Sequence, residues 1–202
     1  MIAKGKTGRG FKGAAQYLLH DKDANTAERV AWTHTENLRT DHPQRAWREM
    51  VWTAGQAEAL KRETGQKRTG RKADKPVYHL SLSWAKDEAP TREQMIATGK
   101  AALKTLGLER HQALVVCHTD EPQPHIHLLV NRVDHETGLM NTLSRSNRKL
   151  SAWAIVPGPR SLLKGTVVLD PLGTADLALR KLVLHRPGRE LAVTARDSMC
   201  SG

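Results

Sequence analysis

Cysteine is nearly absent. The 202-residue chain has two, Cys117 inside an apolar stretch and Cys200 close to the last residue. That excludes a disulfide framework and a cysteine-built zinc site, and it fits a reducing cytoplasm. Long apolar runs are missing as well, and none approaches the ~20 residues that span a bilayer. The basic N-terminal stretch lacks a signal-peptide core, because Gln16 interrupts the apolar residues from Ala14 to Leu19. Together these absences predict a cytoplasmic protein with no membrane insertion. Aromatic hydroxyls are scarce too, Tyr17 and Tyr78 being the only tyrosines. Acidic residues are outnumbered, 21 Asp and Glu against 32 Lys and Arg, for a formal net charge of +11. Such a charge implies an anionic partner, of which nucleic acid is the commonest. The length allows one domain with a good core plus an extension, and no second large enzyme domain.

The pattern along the chain predicts a mixed order of roughly β-α-β-α-β-α-β-β. Ile2 to Lys6 reads as a strand ended by the turn Thr7-Gly8-Arg9-Gly10, and Phe11 to His20 as a short helix with Phe11, Ala15 and Leu18 inward. Arg29 to Thr33 is a second strand. Asp41 before His42-Pro43 marks a helix start, and Trp47, Met50, Val51 and Ala54 carry the helical spacing toward Glu63. Lys61 to Lys75, with seven basic residues against two acidic ones, is expected to be a mobile basic loop. Val77 to Trp84 alternates strictly, placing Tyr78, Leu80, Leu82 and Trp84 on one face and His79, Ser81 and Ser83 on the other. Thr91-x-x-Gln94 is a capping box opening a helix with Met95, Ile96, Gly99 and Leu103 inward, and Gly107 is its expected C-terminal cap. The fold class expected is α+β, a mainly antiparallel central sheet with helices packed on one face. From Ala154 the texture becomes broken by Pro and Gly, with one plausible helix over Thr174 to Leu184.

The densest chemistry lies in His118-Thr119-Asp120-Glu121-Pro122-Gln123-Pro124-His125-Ile126-His127. Gln112 to Cys117 reads as a strand ending at His118, and His125 to Asn131 as its hairpin partner. Alternation puts His125 and His127 on one face, and an antiparallel return sets His125 beside His118. Three neutral imidazoles without a fourth protein ligand describe an open metal site, which suits catalysis better than structure. Such a metal polarises phosphoryl oxygens, and a phenol needs that help to act as a nucleophile. Tyr78 falls in the apolar phase of its strand and is assigned to the core. Tyr17 falls well off the inward face of its helix, where it is either an amphipathic core-edge residue or a side chain able to swing over a site. With the basic chain, these residues predict tyrosine attack on a DNA phosphodiester.

The run His118-x-Asp120, Pro124-His125-Ile126-His127 and Asn131 resembles the metal motif of the mobilisation relaxases, in the His-hydrophobic-His (HUH) endonuclease superfamily. Gly10 to Asp23 resembles the N-terminal segment of their single-tyrosine branch, and VYHLSLSW the segment between the two motifs. The resemblance covers residues 1–153. It implies a central antiparallel sheet related to RNA-recognition-like sandwiches. It implies that Tyr17 nicks and rejoins single-stranded origin-of-transfer DNA through a 5′-phosphotyrosyl intermediate, initiating conjugative mobilisation of a plasmid. It also implies that His118, His125 and His127 bind Mg²⁺ or Mn²⁺; imidazole donors by themselves favour Mn²⁺ or a later metal. Asp120 matches the acidic position, where it orients a ligand histidine or is a solvated loop carboxylate. Asn131, His79 and Ser81 are candidate DNA contacts, as are Lys67, Arg68, Arg71 and Lys72 of the basic stretch. Accessory mobilisation proteins and a type IV secretion coupling protein are the implied partners. Relatives continue after Ala154 with a charged helix, so residues 154–202 are expected as an atypical, partly disordered tail, as a frame change or truncation would produce.

Two enzyme rivals fail on the residues. A histidine-triad hydrolase needs a third alternating histidine where Leu129 stands. A metal-dependent amidohydrolase barrel needs more chain and alternating parallel units. A non-catalytic origin-binding remnant stays open, since net charge does not separate a binder from a nuclease.

Overall fold

The computed structural model describes residues 1–20, 26–66 and 74–155. Five strands and five helices run in the order β1 (Ile2–Gly8), α1 (Phe11–Leu19), β2 (Val30–Glu36), α2 (Pro43–Gly55), α3 (Ala57–Glu63), β3 (Val77–Ser83), α4 (Arg92–Thr105), β4 (Ala113–His118), β5 (His125–Asn131) and α5 (Ser146–Ile155). The strands form one sheet in the order β1-β3-β5-β4-β2, and every neighbouring pair is antiparallel. This is the expected α+β class.

The alternation of β3 sorts its side chains as the sequence implies. Tyr78, Leu80 and Leu82 join α4 residues Met95, Ala102 and Leu103 and α5 residue Leu150 in one core. Val77, Leu114, Val116 and Leu129 meet Phe11, Ala15, Leu18 and Leu19 of α1 and Ala46 and Met50 of α2 in a second core. Helices therefore cover both faces, α4 and α5 on one and α1 and α2 on the other, which corrects the one-face expectation. The physical cause is β4, whose six residues are all buried. A strand apolar in both phases needs cover on both sides.

Local signals are met at most boundaries. Thr91 Oγ1 accepts from the Gln94 amide at 3.3 Å and Gln94 Oε1 from the Thr91 amide at 2.8 Å, completing the capping box. Gly107 takes φ +69°, and the Leu108 amide returns to the Leu103 carbonyl at 2.8 Å, which ends α4 in the left-handed turn that glycine permits. Gly5 is required for another reason, since a Cβ there would collide with the Tyr78 ring across the β1–β3 pair.

Other boundaries move. The strand expected to end at Lys6 continues to Gly8, paired with Val77. Asp41 does not cap α2, whose N-cap is His42 without a side-chain bond. The expected long helix breaks at Gly55–Gln56 into α2 and α3, and Lys61 to Glu63 belong to α3 rather than to a loop. Lys61 ion-pairs with Glu58 at 3.0 Å. Lys67, Arg68, Arg71 and Lys72, the segment Thr174 to Leu184 and residues 156–202 generally lie outside the described residues. No helix among the described residues is long and apolar enough to cross a membrane.

Candidate active site

The β4–β5 hairpin sets His118 directly opposite His125, and places His127 opposite Val116. All three rings project onto the α1–α2 face. Their centroids are 4.7 Å (His118–His127), 5.2 Å (His125–His127) and 5.7 Å (His118–His125) apart. One ligand nitrogen from each lies within 4.8 Å of the others, a spread that one divalent ion spans with small ring rotations. His118 and His125 are buried and His127 is half-buried.

Each ring is held by one nitrogen, which decides where the lone pair sits. His118 Nε2 lies 2.7 Å from the Leu18 carbonyl and His125 Nδ1 3.1 Å from the Gln123 carbonyl. A carbonyl only accepts, so these nitrogens carry the protons, which leaves His118 Nδ1 and His125 Nε2 as the nitrogens available for ligation. His127 Nδ1 is 3.1 Å from His79 Nε2. If His127 donates there, its Nε2 is the third free lone pair. Metal-ligating histidines are normally oriented through their other nitrogen in this way.

Electrostatics favour the neutral form at His127, His118 and His79. Burial, then the nearby His118, His79 and His125, push the His127 pKa down to about 3. Burial lowers His118 as well, against the opposing pull of the Leu18 carbonyl, with Arg29 adding to the fall. His79 is lowered by burial, then by His118 and by Lys6, which shares its face through the Lys6–His79 register pair.

The Leu18 carbonyl ties the C-terminal end of α1 to the histidine cluster, one residue from Tyr17. Tyr17 is 57% exposed, whereas Tyr78 is 1% exposed in the core. Arg29, just before β2, donates to the Tyr17 carbonyl, and its guanidinium lies 5.2 Å from the Tyr17 ring centroid. It also ion-pairs with Asp120 at 3.5 Å. Asp120 Oδ1 in turn lies 3.3 Å from His125 Nε2. That is the nitrogen left for ligation, so Asp120 faces the site rather than backing a ligand ring. The orienting role belongs to the Gln123 carbonyl.

His79 and Ser81 share the histidine face on β3, with Ser81 opposite His127. Asn131 shares the face but not the place. It is 0% exposed and donates to the Met50 carbonyl at 3.2 Å and to Gln112 Oε1 at 3.1 Å. This corrects its assignment as a DNA contact, because α2 covers that end of the sheet. Arg29 is the residue sequence patterns missed. Its partners are 12 and 91 positions away, and nothing in a strand or helix period marks it.

One family model matches most of the chain. The family model for the relaxase nuclease domain, MobA/VirD2-like, matches residues 17–154. A 61-residue stretch, 30% of this chain, is 38% identical to Protein MobA of Acidithiobacillus ferrooxidans and spans 15% of that protein. A solved chain from work on the molecular basis of vancomycin resistance transfer in Staphylococcus aureus is 14% identical. It overlaps 65% of this chain and 69% of its own length with a TM-score of 0.39.

Proposed function

The chain belongs to the MobA/VirD2-like relaxase nuclease family, the relaxases of plasmid mobilisation, and on that premise we propose that it nicks and rejoins one strand of a transfer origin through Tyr17. The observation that carries this reading is the His118–Leu18 hydrogen bond, which ties the residue next to the exposed Tyr17 to the three-histidine cluster.

In the proposed reaction the Tyr17 hydroxyl attacks phosphorus. The Tyr17 Oη–P bond forms as the P–O3′ bond breaks. The phenolic proton is given up to a base, and the leaving 3′-oxygen takes a proton to become a free hydroxyl. The 5′ end stays on the enzyme as a phosphotyrosine, and the reverse step rejoins the strand. His118, His125 and His127 are the residues that would hold a divalent ion, Mg²⁺ or Mn²⁺. Such an ion supplies charge stabilisation at the phosphate. Asp120, on the ligand side of His125, is positioned to take or relay a proton. Arg29 fixes the Tyr17 backbone, stacks on its ring and holds Asp120 in register. The basic residues Lys67, Arg68, Arg71 and Lys72 supply phosphate contacts. Neutralising all four should flatten the dependence of log affinity on log salt, and an unchanged slope would remove them from the interface. Accessory mobilisation proteins and a secretion coupling protein complete the proposed setting, in the cytoplasm.

The test is a nicking assay with Mn²⁺ on labelled single strands tiled across the DNA next to the gene. A covalent protein–DNA adduct that disappears in Tyr17→Phe, with fold and metal binding kept, supports the reading. Retarded but uncut DNA supports a non-catalytic binder instead. An adduct undiminished in Tyr17→Phe overturns the choice of nucleophile.

A further inference from the structure

Beyond the histidines, the same sheet face continues toward the β1 edge as a polar bed. Ile2, Lys4 and Lys6 of β1 pair with Ser83, Ser81 and His79 of β3, so they share the histidine face. Lys4 and Lys6 are exposed, and Ser81 and Ser83 are half-buried. A groove of about 350 Å³ joins this bed to the cluster, its walls including Lys4, Ser81, Ser83, His125 and His127. Helices α1 and α2 pack instead on Val77, Leu114, Val116 and Leu129 of this face.

Tyr17 approaches from the other flank. The sheet order β1-β3-β5-β4-β2 puts the bed and Arg29 on opposite sides of the histidines. Arg29 precedes β2, beside His118 through the Val30–His118 pair, and it stacks on the Tyr17 ring. Displacement at a phosphate runs with the entering and leaving oxygens roughly in line. A tyrosine entering over the β4–β2 flank therefore expels the 3′-oxygen toward β3 and β1.

We propose that Lys4 and Lys6, with Ser81 and Ser83, form the binding bed for the DNA segment 5′ to the nick, the one left with a free 3′-hydroxyl. This inference rests on the nuclease reading above. After cleavage that segment has no covalent link to the protein, so the bed is what retains it for rejoining. Two ammonium groups on alternate residues of one strand lie about 6.6 Å apart at their backbones. That matches the spacing of successive phosphates on an extended single strand to within the reach of a lysine. The serine hydroxyls beside them offer hydrogen bonds to sugar or phosphate oxygens.

The experiment uses the full chain with Mn²⁺ and the single strand found to be cleaved, labelled at its 5′ end with one dye and its 3′ end with another. The 3′-labelled half reports covalent attachment. The 5′-labelled half reports retention of the free 3′-hydroxyl product. In Lys4→Ala/Lys6→Ala, dissociation of the 5′-labelled half should quicken by roughly tenfold or more, and rejoining after a salt drop should fall in proportion. Its affinity should also lose on the order of 1.4 units of salt slope, two phosphates at about 0.7 each. The charge-matched control Lys104→Ala/Lys149→Ala changes exposed residues of α4 and α5, on the opposite face. Wild-type release of the 5′-labelled half from the Lys4/Lys6 variant overturns the proposal. So does equal acceleration in the control, which would make the effect one of net charge. Lys4→Arg/Lys6→Arg keeps both cations and should restore retention, which separates loss of contact from misfolding. If the wild-type chain forms no adduct at all, the nuclease reading fails. If the adduct forms and release is indifferent to Lys4 and Lys6, only the strand assignment fails.

Discussion

Two polar clusters sit on one face of the same sheet, at opposite ends of β5, and they are finished in opposite ways. Asn131 lies six positions along β5 from His125, about 20 Å of strand. At the Asn131 end the Asn131, Gln112 and Glu49 side chains find their partners within the protein. The Asn131 amide donates to Met50 and Gln112, and its oxygen accepts from the Val133 amide at 3.0 Å. Gln112 donates on to Glu49 at 3.1 Å, and Glu49 accepts from the Arg39 amide at 3.0 Å. At the His125 end each ring spends one nitrogen on a neighbour, ligand nitrogens of all three lie within 4.8 Å of one another, and Asp120 reaches in to His125 Nε2 at 3.3 Å. A saturated network fixes structure, whereas a set of convergent lone pairs awaits a ligand. Burial alone does not tell them apart, since His118 and His125 are 4% and 3% exposed.

The largest expected effect breaks the ligand-seeking end. His127→Ala should lower metal-dependent nicking by more than ~100-fold, because two imidazoles hold a weakly bound divalent ion poorly. DNA affinity should remain mostly intact, as it rests on cations elsewhere. Calorimetric Mn²⁺ titration and the nicking assay read the two properties separately. Wild-type metal binding and nicking in this variant would remove the cluster from the active site.

Breaking the saturated end should do the reverse. Asn131→Ala strands the Gln112 side chain, the Met50 carbonyl and the Val133 amide in a buried setting. A loss of roughly 2–4 kcal/mol in unfolding free energy is expected. Nicking per folded molecule should change little. Unaltered stability combined with weakened DNA binding would return Asn131 to the interface.

Acid sharpens the comparison by touching both ends. His79, His118 and His127 at one end and His111 at the other all have pKa values below the ordinary 6.5, burial being the first cause in each. The unfolded chain thus binds more protons than the native one below 6.5. Stability should fall as pH drops from 6.5, for His127 down to about 3. The urea midpoint measured between pH 7 and 4.5 should decline, and less steeply in His127→Asn. Equal slopes in the two proteins would show that His127 is not held neutral by the fold.

How much of this was legible differs by residue. The histidine triangle was, because strand parity and a short hairpin leave few ways to arrange His118, His125 and His127. So was the exposure of Tyr17, since 100° per residue puts it off the Phe11–Leu18 face. Parity also put Asn131 on the correct face. It carries no information about which stretch of that face a helix covers, and α2 covers this one. The burial of both faces of β4 was visible in its unbroken apolar run, yet the expected layering ignored it. Arg29 was illegible in principle, because its role arises where β2, α1 and the hairpin loop meet. The Leu18 and Gln123 contacts use backbone carbonyls, which no side-chain pattern records.

The smallest effect expected is at the second tyrosine, and it completes the contrast. Tyr78→Phe deletes the same atom as Tyr17→Phe, but from a ring packed against Gly5 in the α4–α5 core. Burial raises the Tyr78 pKa, so its hydroxyl stays protonated and cannot serve as a phenoxide near neutral pH. Removing it costs at most one net hydrogen bond, about 1 kcal/mol, and relieves some desolvation. Thermal unfolding should shift by only a few degrees in either direction. The covalent adduct should form as in the unaltered chain, and its tryptic map should contain Tyr17. An adduct lost in Tyr78→Phe without loss of fold would place the chemistry on the wrong face of the sheet and undo the assignment of both tyrosines.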